Sequence, residues 1–220
     1  MSRKISFASG EFYHLYNRGT DKRIIFTDQH DYERFAKLLF LCNNAAPVDL
    51  KLQGETLYDV LKINRSDPLV HIISYCLMPN HFHLLIQEID QGGISRFMQK
   101  MTTGYTMYFN KRNDRTGALF QGVFKSEHAN DDRYLKYLIA YIHLNPIKLL
   151  EPSWKEIGLS DVERAERYLE AYSYSSYPDY LGINRPQNVL IDRAAAPEYF
   201  ESSRDLKSEM EEWLSYNQST

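Results

Sequence analysis

Two histidines separated by one apolar residue are the first candidates for chemistry in this chain. His81 and His83 flank Phe82 and directly follow the turn signal Pro79-Asn80. The runs on both sides of the turn are rich in β-branched and aromatic residues and predict two strands. Strand side chains alternate between faces, so both imidazoles point the same way and could bind one metal ion. Hydrogen-bonded, half-buried histidines are the alternative, and they are the commoner explanation of an isolated His-x-His.

A tyrosine and an asparagine further along the chain could complete such a site. Tyr141 and Asn145 are four positions apart on a predicted helix that ends before Pro146, so they share a helix face. A phenol oxygen can be a covalent nucleophile, and a carboxamide oxygen can bind a hard metal ion. If this helix crosses the sheet face that carries the histidines, the set would suit attack on a phosphodiester. A packing tyrosine and an ordinary Asn-Pro helix stop explain the same two residues.

The elements that must position these residues form an α+β pattern. Strands are predicted at 12–18, 70–78, 81–89 and 118–126. Helices are predicted at 29–41 (capped by Asp28), 57–61, 94–111, 133–144 and 161–172, and at the end of 197–216. This order predicts a ferredoxin-like antiparallel sheet with helices packed on it, plus a partly helical C-terminal tail. We therefore expect a core of 1–150, with 43–68 as an insertion or excursion, and a C-terminal extension of 151–220.

Size and composition exclude several classes of protein. The 220 residues fit one large domain or a domain with an appendage, and the composition is that of an ordinary globular protein. Cys42 and Cys76 have no metal-ligand spacing, and nothing suggests a disulfide-dependent secreted fold. No signal peptide and no membrane span are predicted, so a cytoplasmic protein without a membrane partner is expected.

The charges are unevenly distributed. The formal net charge of −3 argues mildly against nucleic-acid binding, but six basic residues stand against one acidic residue between positions 96 and 125. A solvated helix face explains many of these cations equally well. The candidates for contacts with a DNA backbone are Arg18, Arg96, Lys100, Lys111, Arg112 and Lys125.

Several segments together resemble the single-tyrosine HUH transposases, both the insertion-sequence type and the REP-associated type. The resemblance spans about residues 12 to 180, and its most specific part combines Met-Pro-Asn-His-x-His with Tyr-Ile-x-x-Asn-Pro. The segments are His14-Leu15-Tyr16-Asn17-Arg18-Gly19, Tyr75-Cys76-Leu77-Met78-Pro79-Asn80-His81-Phe82-His83-Leu84-Leu85, Gly92-Gly93-Ile94-Ser95-Arg96-Phe97-Met98-Gln99, Leu119-Phe120-Gln121-Gly122, Tyr141-Ile142-His143-Leu144-Asn145-Pro146 and Tyr174-Ser175-Ser176.

The resemblance implies an HUH endonuclease fold that cleaves and rejoins single-stranded DNA, commonly at hairpins. His81 and His83 match the pair that binds Mg²⁺ or Mn²⁺, and Asn145 matches a third, polar ligand. Tyr141 matches the nucleophile, which leaves a 5′-phosphotyrosine and a 3′-hydroxyl. Many members are dimers, and the DNA-bound protein would be associated with the nucleoid.

Two departures from the family pattern keep other functions open. Val123 stands where relatives often carry a basic residue, and the chain is more acidic than expected for a nuclease. A host-adopted relative that binds DNA hairpins with weak or no nicking is therefore the main alternative. A protein-interaction role for the tyrosine-rich surface is the third.

Other residues are weaker candidates for the site. His14 and His128 fall in or near predicted strands and could approach the site, but structural or surface roles are expected for both because nothing in their spacing selects them. His143 lies two residues from Tyr141 and therefore faces away from it. The tyrosines at 105 and 108 fall within the apolar stripe of their helix, which predicts a core position.

Overall fold

A four-stranded antiparallel sheet forms the centre of the part of the chain that the computed structural model describes, which is residues 6–47, 55–63, 67–200 and 202–215. The strands are β1 (Phe12–Arg18), β2 (Val70–Met78), β3 (His81–Glu88) and β4 (Lys125–His128). Their order is β2-β3-β1-β4, so the first strand lies between the predicted hairpin and the last strand.

Helices lie on both faces of the sheet, which confirms the predicted α+β class. The described helices are α1 (Gln29–Cys42), α2 (Leu57–Leu61), α3 (Gly93–Arg112), α4 (Asp132–Leu144), α5 (Ile147–Leu150), α6 (Trp154–Ile157), α7 (Val162–Ala171), α8 (Tyr177–Tyr180) and α9 (Ser203–Ser215). Short 3₁₀ turns occur at Thr20–Lys22, Pro186–Leu190 and Arg193–Ala195. Within the described ranges, every helix is too short or too polar to cross a membrane.

Side chains of β3 alternate between the two faces of the sheet. We call the face that carries Phe82 the structural face and the face that carries His81 and His83 the chemical face. Phe82 is fully buried and contacts Phe35 of α1 at a ring-centroid distance of 5.1 Å. Tyr105 of α3 packs on the same phenylalanine of α1 at 5.0 Å, and its burial confirms the predicted core position. His81 and His83 therefore project from the opposite face, where α4 packs against β2 and β3.

Local sequence signals explain where the two helices of the structural face begin. Asp28 caps α1, because its carboxylate accepts hydrogen bonds from the backbone N–H groups of His30 at 3.0 Å and Asp31 at 3.3 Å. Gly93 opens α3 where the backbone passes close to Leu69. A Cβ atom at residue 93 would lie 2.3 Å from the Leu69 carbonyl oxygen, so only glycine fits there.

The fourth strand differs from its prediction. A strand was expected at 118–126, but β4 covers only Lys125–His128. Leu119 and Phe120 of the expected strand are buried, yet they form a loop with a single bridge between Gly19 and Phe120. Gly122 then adopts a φ of 70° and turns the chain. The apolar run thus closes one end of the core, and a polar segment forms the edge strand.

The predicted insertion at 43–68 lies partly outside the described residues, which omit 48–54 and 64–66. Its two ends meet through Asn43, whose side-chain oxygen accepts hydrogen bonds from the backbone N–H groups of Leu69 at 2.9 Å and Val70 at 3.0 Å. The Asn43 amide also donates to the Val70 carbonyl at 2.9 Å. The chain thus leaves and re-enters the core at one point, while the interpretation of this segment as an insertion stays a prediction.

The C-terminal segment packs directly on the core. The backbone of Cys76 forms a bridge with Ser175, and His143 of α4 lies 2.8 Å from the Ser176 hydroxyl. His143 is therefore buried on the side of α4 away from Tyr141, as its spacing predicted. Further along, Trp213 of α9 packs on α4. The boundary at residue 151 stays a prediction.

Candidate active site

The two histidines of β3 lie side by side on the chemical face of the sheet. The ring centroids of His81 and His83 are 5.0 Å apart, and the ring planes are nearly perpendicular, at 86°. His83 is buried, and His81 is partly exposed at the end of the hairpin. The strand period thus brings both imidazoles to one place, as the sequence predicted.

Asn80 sets the tautomer of His81. The Asn80 side-chain amide donates to the Lys22 carbonyl at 3.2 Å, so its oxygen faces the imidazole, 2.6 Å from Nδ1 of His81. Because that oxygen accepts only, Nδ1 must carry the hydrogen and Nε2 keeps its lone pair. Burial, followed by the charges of Lys148 and Arg18, lowers the pKa of His81 to about 4. The ring is therefore neutral near pH 7 and has a nitrogen ready to bind a metal ion.

His83 has a partner for which the sequence predicted a structural or surface role. Nδ1 of His83 lies 2.9 Å from Nε2 of His14, a buried residue of β1. Burial, together with the neighbouring histidines and Lys148, lowers the pKa of His83 well below its usual value. His83 is also neutral near pH 7, with Nδ1 occupied. No local pattern around His14 marked it, because the contact depends on how β1 and β3 are aligned.

Tyr141 lies against the histidines, edge-on to both His83 and His14. The ring centroids are 5.7 Å and 6.0 Å away, respectively. Desolvation raises the pKa of the half-buried phenol, and the nearby Tyr137 and Glu127 raise it further. The predicted approach of the tyrosine to the histidine pair is thus present within one chain. A phenol with a raised pKa needs electrostatic help before it can act as a nucleophile.

Asn145 lies one helical turn after Tyr141 and is only 2% exposed. Its side-chain amide donates to the Tyr141 carbonyl at 2.9 Å, which closes the end of α4. Its side-chain oxygen is buried without a hydrogen-bond partner among the described residues. An orphaned buried carbonyl oxygen costs free energy, and a bound cation would satisfy it.

Two lysines that the sequence analysis did not single out flank Tyr141. Nζ of Lys155 lies 4.9 Å from the ring centroid, and Nζ of Lys148 lies 6.0 Å from it. A cleft of about 370 Å³ opens beside them. It is lined by Tyr16, Asn17, Arg18, Asn80, His81, His83, Gln121, Lys125, Tyr141 and Lys148. The cleft thus places the candidate nucleophile and both histidines beside several cations.

The predicted DNA-contact residues divide into two groups. Arg18 and Lys125 line the cleft, where Arg18 donates to the Gln121 side chain at 3.2 Å. The other four lie on α3, which packs on the opposite face of the sheet. Of these, Lys100 donates to backbone carbonyls of 44 and 46, and Arg112 forms ion pairs with Asp28 and Asp31. Arg96 and Lys111 are exposed there. The structure therefore does not bring the α3 cations to the cleft.

The donor types of these residues are those of divalent-ion ligands. Imidazole nitrogens bind first-row transition-metal ions, and a carboxamide oxygen is a donor type that Mg²⁺ and Mn²⁺ prefer. Among the described residues, no three His, Cys, Asp or Glu side chains group around one point to hold a metal ion. A metal ion at His81 and His83 would therefore need the Asn145 oxygen or solvent as a further ligand.

Comparison with solved structures shows which class of fold this is. A structure of a REP-associated tyrosine transposase bound to a REP hairpin aligns with a TM-score of 0.53 at 12% identity, over 91% of this chain and 99% of that chain. The α+β sheet with its helices is therefore the fold of that transposase.

The family described as IS200-like transposases matches residues 13–145, which includes both histidines, Tyr141 and Asn145. The chain belongs to this family. No curated protein matches it.

Proposed function

We propose that this protein cleaves and rejoins single-stranded DNA, with Tyr141 as the nucleophile. The observation that carries the proposal is the position of Tyr141. Its ring lies 5.7 Å from that of His83, in a chain whose family match includes both residues. Membership of the IS200-like transposases supports the reaction class. The cleft beside Tyr141 supports this part of the protein as the location of the reaction.

The reaction is a transesterification at a DNA phosphate. The phenol oxygen of Tyr141 loses its proton and attacks phosphorus, so that an Oη–P bond forms as the P–O3′ bond breaks. The departing 3′ oxygen takes up a proton. The products are a 5′-phosphotyrosine and a free 3′-hydroxyl. Attack by a 3′-hydroxyl on the phosphotyrosine reverses the step, so that strands rejoin without an external energy source.

His81, His83 and Asn145 would hold a divalent ion, either Mg²⁺ or Mn²⁺. When bound, the ion would polarise a phosphate oxygen and offset the negative charge that develops on the phosphate. The protein's own contribution is to keep both imidazoles neutral and to present one buried carbonyl oxygen. Burial keeps the imidazoles of His81 and His83 neutral, and the end of α4 holds the buried side-chain oxygen of Asn145.

The cations around Tyr141 would position the substrate. Lys148 lines the cleft together with Arg18 and Lys125, and ammonium and guanidinium groups are the usual partners of phosphate oxygens. Lys148 and Lys155 would also stabilise the phenolate, since both Nζ atoms lie within 6.0 Å of the ring centroid. We extend the substrate to DNA hairpins because the similar transposase structure contains one.

Tyr141 lies beside His83 of the same chain, with ring centroids 5.7 Å apart, so one chain could supply both the nucleophile and the histidines. A homodimer stays a prediction from the family resemblance.

A hairpin-binding relative without nicking activity is the second candidate. Val123, at a position that is often basic in relatives, is 67% exposed. Four of the predicted DNA-contact cations lie on the opposite face of the sheet from the cleft. Both observations favour a weaker contact with a DNA backbone at the cleft than the six cations chosen from the sequence would provide.

A labelled-strand assay separates the two functions. A single-stranded oligonucleotide with a hairpin is incubated with the protein and Mg²⁺ or Mn²⁺, and products are separated under denaturing conditions. Nicking predicts that 3′-labelled DNA becomes attached to protein while 5′-labelled DNA is released with a 3′-hydroxyl. Tyr141→Phe should abolish the attachment. Tyr137→Phe, one helical turn earlier, should retain it and is the matched control.

The outcomes assign the function. Attachment that persists in Tyr141→Phe shows that the proposed nucleophile is wrong. Hairpin binding without attachment under any divalent ion supports the second candidate.

A further inference from the structure

His14 connects the histidine pair to a carboxylate on the neighbouring strand. Nε2 of His14 lies 2.9 Å from Nδ1 of His83, and the two rings are nearly parallel, at 18°. On the other side of the His14 ring, Nδ1 lies 4.0 Å from a carboxylate oxygen of Glu127. Three side chains from β4, β1 and β3 therefore form a line across the sheet.

Two phenols hold the carboxylate in this line. Tyr16 donates to one oxygen of Glu127 at 2.8 Å, and Tyr134 donates to the other at 3.0 Å. The backbone alignment of β1 and β4 also places Glu127 directly opposite His14. Although its side chain is exposed, at 48%, Glu127 is therefore kept near Nδ1 of His14 by contacts from two different elements.

The position of the carboxylate favours one assignment of the hydrogens on the two rings. A negative charge beside Nδ1 of His14 favours a hydrogen on that nitrogen and opposes a lone pair there. With Nδ1 protonated, Nε2 of the neutral ring can only accept. It then accepts from Nδ1–H of His83, and Nε2 of His83 keeps its lone pair. If the hydrogen of His14 were on Nε2 instead, the Nδ1 lone pair of His14 would point toward the carboxylate. Nε2 of His83 would then carry a hydrogen and could not bind a metal ion.

A packing role alone does not explain His14. The residue is 4% exposed, and its Nδ1 has no hydrogen-bond partner in the part of the chain that the structure describes. Leucine or phenylalanine would fill the same space without that cost. Asn80 fixes the tautomer of His81, and among the described residues the imidazole of His14 is the group hydrogen-bonded to Nδ1 of His83.

We propose that Glu127 and His14 are positioning residues that form a relay to His83. The relay holds His83 in its Nδ1–H tautomer and so keeps its Nε2 lone pair free for a divalent ion. The assignment of that nitrogen to a metal rests on the proposed function. The tautomer itself does not, because it follows from groups that are all on this chain.

The tautomer can be measured on the metal-free, full-length protein. Long-range ¹H–¹⁵N correlation spectra at pH 7, on protein with labelled histidines, distinguish the two tautomers of each ring. His83 is expected as Nδ1–H, as is His14. A spectrum that shows His83 as Nε2–H overturns the proposal. Glu127→Gln offers an amide donor to Nδ1 of His14 and should shift His83 toward Nε2–H, whereas an unchanged tautomer contradicts the relay.

Two substitutions of His14 separate hydrogen bonding from packing. His14→Phe keeps a ring but no acceptor, and His14→Gln keeps an acceptor near the position of Nε2. Mn²⁺ titrations followed by electron paramagnetic resonance should show affinity reduced by about 10- to 100-fold in His14→Phe. His14→Gln should recover most of that loss. Wild-type affinity in a folded His14→Phe variant refutes the relay. If that variant does not fold, the Glu127→Gln spectrum decides.

The same measurements keep this proposal distinct from the proposed function. Wild-type protein with the expected tautomer that neither binds Mn²⁺ nor nicks DNA supports the relay and refutes the proposed function. Protein that nicks DNA with His83 in its Nε2–H tautomer refutes the relay and supports the proposed function.

Discussion

Mild acid should destabilise the metal-free protein strongly, because the fold keeps several histidines neutral. Burial lowers the pKa of His14 and of His81 to about 4, and that of His143 to about 3. In the unfolded chain each would titrate near its ordinary value of about 6.5. Between about pH 6.5 and pH 4, the unfolded state therefore binds more protons than the native state, and stability falls as the pH falls.

The size of the effect follows from these values. A group with a pKa of about 6.5 when unfolded and about 4 when folded loses roughly 2 kcal/mol of stabilisation between pH 7 and pH 5. His14 and His143 are buried and should show nearly this amount, and the partly exposed His81 somewhat less. The summed loss is on the order of 5 kcal/mol, which is a large part of the stability of a typical domain.

Urea unfolding at pH 7 and pH 5, followed by circular dichroism, measures this loss directly. The unfolding midpoint should fall steeply over that range, and the slope of free energy against denaturant should change little. His30→Gln, which alters an exposed histidine, should reproduce the wild-type pH dependence. Stability that is unchanged between pH 7 and pH 5 would refute the assignment of neutral, buried histidines.

Two further predictions test the cleft and the core. Lys148→Ala should lower the single-turnover nicking rate by about 10- to 100-fold, because a cation beside the reacting phosphate is lost. Lys111→Ala on α3 should leave that rate unchanged, and equal losses in both variants would contradict the division of the cations. Asn43→Ala should lower the free energy of unfolding by about 3 kcal/mol, because buried backbone groups at 69 and 70 lose their partner. The control Asn44→Ala should lower it by less than about 1 kcal/mol in the same urea titration.

The central part of the fold was predictable because its signals are local. The hairpin of β2 and β3 follows from two β-rich runs around one turn, and α1 begins where Asp28 caps it. The edge strand β4 was misplaced because it lacks such a signal. Its residues are mostly exposed, so no alternation of apolar and polar side chains marks it. The apolar run before it is buried as a loop, which local pattern does not distinguish from a strand.

The candidate site was predictable where spacing alone determines a shared face. The strand period places His81 beside His83, and the helix period places Asn145 one turn after Tyr141. The sequence did not assign His14 or Glu127 to the site, because they meet His83 only through the alignment of three strands. Lys155 escaped notice because its position depends on how the chain folds back after α5. The α3 cations were chosen by charge, and charge does not reveal which face of the sheet a helix covers.

The most direct test of the account is to identify the residue that carries the DNA. The covalent adduct, formed with a hairpin oligonucleotide and Mn²⁺, is trimmed with nuclease and digested with trypsin. Tyr137 and Tyr141 fall in the same expected peptide, residues 137–148, since Lys136 and Lys148 are the flanking cleavage sites. Fragmentation by mass spectrometry then locates the nucleotide. The account predicts the added mass on Tyr141, and the same mass on Tyr137, or on any other tyrosine, would contradict it.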